Sequence, residues 1–184
     1  MIDYGCGLTL GPLRREHLGL YQAWRNHSEI RWRCRNRHLG LLTGAHQERW
    51  YEAVTGPHST AAMFEVLLDN YPSAQEAIGV GGLVDVDHRN RKAELSLYLD
   101  PSHSGPRVAD SLDRAAIRTL IAYGFQELNL ERIWCETVAT FVYGWDTLEA
   151  LGFEREGTLR NSYWIAGKPV GSLIHAMLRA DWLP

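Results

Sequence analysis

Residues 92–100, KAELSLYLD, alternate cleanly. Ala93, Leu95, Leu97 and Leu99 fall on one side, and Glu94, Ser96 and Tyr98 on the other, so a half-buried strand is predicted. Apolar runs at 61–69 and 77–89 predict two more strands, joined through the turn-forming stretch NYPSAQE, and the turn leading into 92–100 falls around HRNR. Helical spacing takes over elsewhere. Leu18, Tyr21 and Trp24 mark a helix over 15–26, and His46, Trp50 and Val54 mark one over 43–54, with Thr43 as its N-cap. The longest helix is expected over 106–128, where Val108, Leu112, Ala116 and Leu120 form one row and Asp110, Asp113, Arg114 and Arg118 lie outside it.

Beyond that helix the pattern gives a strand at 132–138 and a short helix at 143–153 with Gly152 at its C-cap. Two closing strands, 154–167 and 170–178, join at Ala166-Gly167-Lys168, and a first short strand sits at 8–13. The order is β-α-α-β-β-β-α-β-α-β-β. A meander leading into one long helix and a crossover strand is an α+β, or mixed α/β, layout rather than a doubly wound sheet. No repeat or linker interrupts it, so residues 1–184 read as a single domain.

Composition removes several classes of function. A net charge of −3 gives no reason to expect nucleic acid or an anionic membrane as partner. No apolar run is long enough to span a bilayer, and the N-terminus does not read as a signal peptide, so a cytoplasmic protein is expected. Cys6, Cys34 and Cys135 are scattered without metal-ligand spacing, and the histidines do not pair with carboxylates at helical spacing. No disulfide framework and no metal site are expected.

The stretch LDPSHSGPRVAD (99–110) stands where a strand gives way to the long helix, a junction suited to holding phosphate. Read alone, it is also a well-capped helix start, with Ser104 or Gly105 as N-cap and Pro106 in the first turn. Its surroundings add to it. WRNHSEIRW (24–32), GAHQERWYEAV (44–54), AELSLYLDPSHSGPRVADSL (93–112) and LEALGFEREGTLRNSYWIAGKPVGSLIHAMLRADW (148–182) together resemble segments of the GNAT acyltransferases. The branch resembled includes ribosomal-protein alanine acetyltransferases and bacterial amino-sugar N-acetyltransferases. The resemblance implies a GNAT-like, mostly antiparallel sheet of six to seven strands flanked by about four helices. It also implies acetyl-CoA as co-substrate, N-acetyl transfer as the activity and, by analogy with related proteins, a homodimer.

In that family a loop of pattern R/Q-x-x-G-x-G/A points backbone amides at the CoA pyrophosphate. Ser104 takes the first position here, Arg107 stands where the central glycine belongs, and Ala109 keeps the small last residue, with Gly105 and Val108 between. Pro106 removes one amide donor, and the Arg107 guanidinium offers a charge-assisted contact in its place. Leu97 and Leu99 match positions whose backbone pairs with the pantetheine arm. Glu94 resembles an acidic position of the same strand and is the candidate base. The family's tyrosine acid falls on Leu148 and its asparagine on Phe141, which leaves Tyr143 as the nearest phenol.

An acceptor site is expected on the first two helices. Trp24, Arg25, Asn26, Arg31 and Trp32, with His46 and Trp50 beside them, combine flat apolar faces with cations and an amide, a set suited to a sugar nucleotide. The basic run WRCRNRH (32–38) points the same way, and Ser172 stands where the family's tail often has Asp. Three readings stay open: a small-molecule amine acetyltransferase, a protein N-terminal or lysine acetyltransferase, and a GNAT-shaped binding module without catalysis.

Overall fold

The structure is a computed structural model that describes residues 1–5, 7–33, 40–68, 76–103 and 109–182. Eight strands form one sheet: β1 (Ile2–Asp3), β2 (Leu8–Pro12), β3 (Ala62–Leu68), β4 (Glu76–Asp87), β5 (Lys92–Leu99), β6 (Arg132–Val138), β7 (Glu154–Ile165) and β8 (Lys168–Leu178). Their order across the sheet is β1-β2-β3-β4-β5-β6-β8-β7. The helices are α1 (Leu18–Asn26), α2 (Ser28–Arg31), α3 (Gly44–Thr55), α4 (Ala109–Gln126) and α5 (Val142–Ala150).

The mixed α/β, mostly antiparallel layout stands as expected, with two small additions. A two-residue β1 extends one edge, pairing Ile2 with Leu10 and Asp3 with Thr9, and the four-residue α2 follows α1. Both are too short for periodicity to register. The predicted helix over 15–26 opens as a 3-10 turn over Arg15–His17 before α1 begins. At the β7–β8 hairpin Ala166 and Gly167 both adopt positive φ, +50° and +74°, the paired left-handed geometry of a two-residue turn.

Each face of the sheet is covered by different helices. On one face Ala116, Ile117, Leu120, Ile121 and Phe125 of α4 meet Leu8, Leu10, Val66, Leu83, Ala93 and Leu95 in the main core. On the other, Leu18, Tyr21 and Trp24 of α1 pack with Leu13, Ile30 and Val80, and Trp50, Tyr51 and Val54 of α3 close over them. The alternation read in β5 is real: Leu95, Leu97 and Leu99 join the α4 side, and Tyr98 joins the α1 side.

A buried polar cluster fastens the second layer to the sheet. Glu65 of β3, 1% exposed, receives the Arg14 guanidinium at 2.6–2.7 Å, lies 2.7 Å from His17 Nδ1 and accepts the Tyr21 hydroxyl. The entry to α1 is thereby held against β3.

All neighbouring strands are antiparallel except β5 and β6, which run parallel. Their ladder lasts for three residue pairs, Lys92–Arg132, Ala93–Ile133 and Glu94–Trp134. Past Glu94 the strands diverge, while β5 stays paired to β4 as far as Leu99. The sheet is therefore split from within, between residues 95–99 and 135–138.

Candidate active site

A cavity of about 420 Å³ occupies this split. Its floor is β5 from Glu94 to Leu99, with Val84 and Asp85 of β4. Cys135, Glu136 and Thr137 of β6 form one flank with Asp113 and Ile117 of α4 and Tyr143 of α5. Arg25, Ile30, Arg33, His46, Gln47 and Trp50 come in from the helical layer on the other side. The diverging strands turn backbone amides and carbonyls toward the gap. An extended ligand that carries its own amides fits such an edge as a substitute strand.

Several sequence-selected residues meet here. Glu94, Leu97, Leu99, Tyr143, Arg25, His46 and Trp50 all line the cavity. Glu94 is buried, 7% exposed, on the face of β5 that carries Tyr98. The Tyr143 hydroxyl donates to Asp113 Oδ2 at 3.0 Å, tying α5 to α4 across the mouth. The Arg25 guanidinium lies over the Tyr98 ring at 5.4 Å. His46 Nδ1 accepts the Thr43 amide at 3.0 Å, which fixes the imidazole at the first turn of α3.

Four of the acceptor residues expected from sequence lie elsewhere. Trp24 belongs to the core beneath α1, 4% exposed, and its indole N–H donates to Asp100. Asn26 is consumed locally: its amide donates to the Leu42 carbonyl at 2.9 Å and its carbonyl accepts the Leu42 amide at 2.8 Å. Arg31 lies over the exposed ring of Trp32, 5.9 Å from its centre, and neither lines the cavity. The linear motif had grouped residues that a helix distributes around its circumference. Ser104, Gly105, Pro106, Arg107 and Val108 lie outside the described residues, as do residues 34–38 of the basic run 32–38, and Ala109 is the first residue of α4.

The carboxylates were the missed signal. Among the described residues Asp85, Asp113 and Glu136 join Glu94 in the lining, against two arginines, Arg25 and Arg33. Asp85 is set by a bulge: the β4–β5 register shifts between Val84 and Asp87, and Asp85 takes φ +51°. Glu136 is held by Ser172, whose hydroxyl donates to Oε1 at 2.5 Å. Arg33 stacks over Phe141 at 4.2 Å.

Cys135 also faces the split. Burial, and then the negative charge of Glu94, push its thiol up to about 12. It therefore stays protonated at neutral pH and is a poor nucleophile. Cys135→Ala should retain kcat to within about threefold, since the thiol serves as a small buried filler. A loss above about a hundredfold in steady-state kinetics would instead assign it a covalent role.

No group of three or more His, Cys, Asp or Glu side chains is placed to hold a metal ion among the described residues, and none of their helices is long and apolar enough to cross a membrane.

Residues 7–154 match the family model for the acetyltransferase (GNAT) domain. An uncharacterized N-acetyltransferase, p20, of Bacillus licheniformis is 30% identical over 107 residues, covering 58% of each chain. The putative ribosomal N-acetyltransferase YdaF of Bacillus subtilis is 28% identical over 104 residues, covering 56% of this chain and 55% of that one. The match thus spans little more than half the length of these curated relatives. Among solved structures, spermidine N-acetyltransferase from Vibrio cholerae in complex with CoA and spermine has a TM-score of 0.79 at 22% identity. That match covers 95% of this chain and 97% of the other, and at such identity it is a likeness of fold.

Proposed function

The chain belongs to the GNAT acetyltransferase family, and from that premise we propose that it is an acetyl-CoA-dependent N-acetyltransferase whose acceptor is a small cationic amine of the polyamine type. The observation that carries this reading is the lining of the split: Asp85, Glu94, Asp113 and Glu136 around one cavity. An alkylammonium is drawn to such a lining, and two arginines do not offset four carboxylates. The fold neighbour solved with CoA and spermine supports the same acceptor class.

In this reading the backbone of Leu97 and Leu99 pairs with the pantetheine arm, and the stretch carrying Ser104, Gly105, Arg107, Val108 and Ala109 holds the pyrophosphate. Glu94 removes a proton from the attacking nitrogen, the task of a buried general base. Tyr143, with its hydroxyl directed to Asp113, stands as the acid on the thiolate side. Arg25, His46 and Trp50 border the acceptor.

A phosphate-bearing acceptor such as an amino sugar nucleotide is the second reading, and Arg25 and Arg33 on the helical wall are what favour it. The test is thiol release from acetyl-CoA over a panel of spermidine, spermine, a UDP-amino sugar and a short peptide with a free N-terminus. The polyamines should exceed the rest in kcat/KM by at least about tenfold, a modest ratio for charge-based discrimination. A preference for the nucleotide sugar would shift the reading to the second. No thiol release with any amine would leave a binding module.

A further inference from the structure

A chain of hydroxyls runs from the cavity to the outer edge of the sheet. Ser172 of β8 is completely buried and donates to Glu136 Oε1 at 2.5 Å. Its oxygen lies 2.7 Å from Ser162 Oγ on β7, and Ser162 is exposed. An irregularity in the sheet makes this contact. The β7–β8 register jumps from Leu159–Ser172 to Tyr163–Val170, with Asn161 at φ +54° within the jump. The extra residues of β7 bring Ser162 alongside Ser172.

We propose that Glu136, Ser172 and Ser162 form the route by which a proton leaves this site during turnover, a role that rests on the acetyltransferase reading above. Proton balance requires such a route. An alkylamine is an ammonium at neutral pH. As its nitrogen forms the bond to the acyl carbon and the carbon–sulfur bond breaks, that nitrogen gives up two protons. One ends on the departing thiol, and the other must reach water. Glu94 is buried, and both substrates would fill the cavity that separates it from solvent. Glu136 shares its sheet face, because Glu94 pairs with Trp134 and Glu136 follows two residues on. The proton that Glu94 takes from the nitrogen is handed across the cavity to Glu136 and passes to Ser172 Oγ while the Ser172 proton moves to Ser162 Oγ, and the Ser162 proton moves to water. The hydroxyls then rotate back. No oxidant, metal or other group is needed.

The test compares the parent with Ser172→Ala, Ser172→Thr and Ser162→Val, in spermine acetylation by acetyl-CoA in H2O and D2O. Ser162 is exposed on a strand, so its replacement by valine spares the fold while removing the terminal hydroxyl. Both Ser172→Ala and Ser162→Val should lower kcat, by about tenfold and about fivefold, with KM for spermine unchanged. The solvent isotope effect on kcat should rise as proton exit becomes limiting, and Ser172→Thr should restore most of the rate. A kcat within twofold of an active parent for Ser162→Val, with an unchanged isotope effect, would overturn the relay and leave the acetyltransferase reading intact. A parent that acetylates no amine would overturn both.

Discussion

Replacing Glu94 with glutamine should lower kcat by about 10²- to 10³-fold, within the usual contribution of a positioned general base. The amide has the same shape as the carboxyl, so packing between β5 and the helical layer is kept and the melting temperature should change little. KM for acetyl-CoA should stay near the parent value, because the proposed hold on that substrate is the backbone of Leu97 and Leu99 rather than the Glu94 side chain. The residual rate should climb as pH rises toward the amine's own pKa, since a free amine needs no ammonium deprotonation step. Steady-state kinetics between about pH 6.5 and 10 measure this. An E94Q enzyme within threefold of the parent would remove Glu94 from the chemistry and leave another cavity carboxylate to take its place.

The second large effect is on stability. Glu65→Leu removes the acceptor shared by Arg14, His17 and Tyr21. Deleting one partner of a buried ionic cluster costs about 3–5 kcal/mol. Arg14 is 37% exposed and can turn toward water, which places the loss at the low end, about 3 kcal/mol. Tyr21 is fully buried and has no such recourse. For a chain of this length that corresponds to a fall in melting temperature of about 6–12 °C. The acceptor KM should rise with it, because the same cluster sets the start of α1, and α1 carries Arg25 to the cavity. Thermal unfolding with calorimetric detection decides it: a shift under 2 °C would show that the cluster contributes little net stability.

Glu65 and Glu94 show what a linear reading can and cannot see. Both occupy strands in which they look like outward-facing residues. Glu94 was singled out through a resemblance, and alternation placed it on the correct face of β5. Glu65 gave no signal, because its burial depends on α1 lying across β3, and nothing within AAMFEVLLD announces that cover. Trp24 and Asn26 failed in the opposite sense. A tryptophan and an amide beside arginines read as a binding set, yet one fills the core and the other bonds the Leu42 backbone. Glu136 was hidden because its bond to Ser172 depends on the pairing of β6 with β8, and a register jump between β7 and β8 then brings Ser162 to Ser172.

The amino-acid sequence by itself determined the order and type of the main elements, the core face of β5 and α4, and membership of an acyltransferase-like family. The elements and their faces follow from periodicity and turn chemistry, and the membership from the resemblance of short motifs; all are local and survive in a one-dimensional string. Only the tertiary structure decided that β5 and β6 part after three pairs, that four carboxylates from β4, β5, β6 and α4 surround the resulting cavity, and that a buried hydroxyl leads from it toward solvent. Those features arise where separately encoded elements meet. Their positions depend on how strands diverge and helices pack across the sheet, a sum of long-range contacts that no window of residues contains.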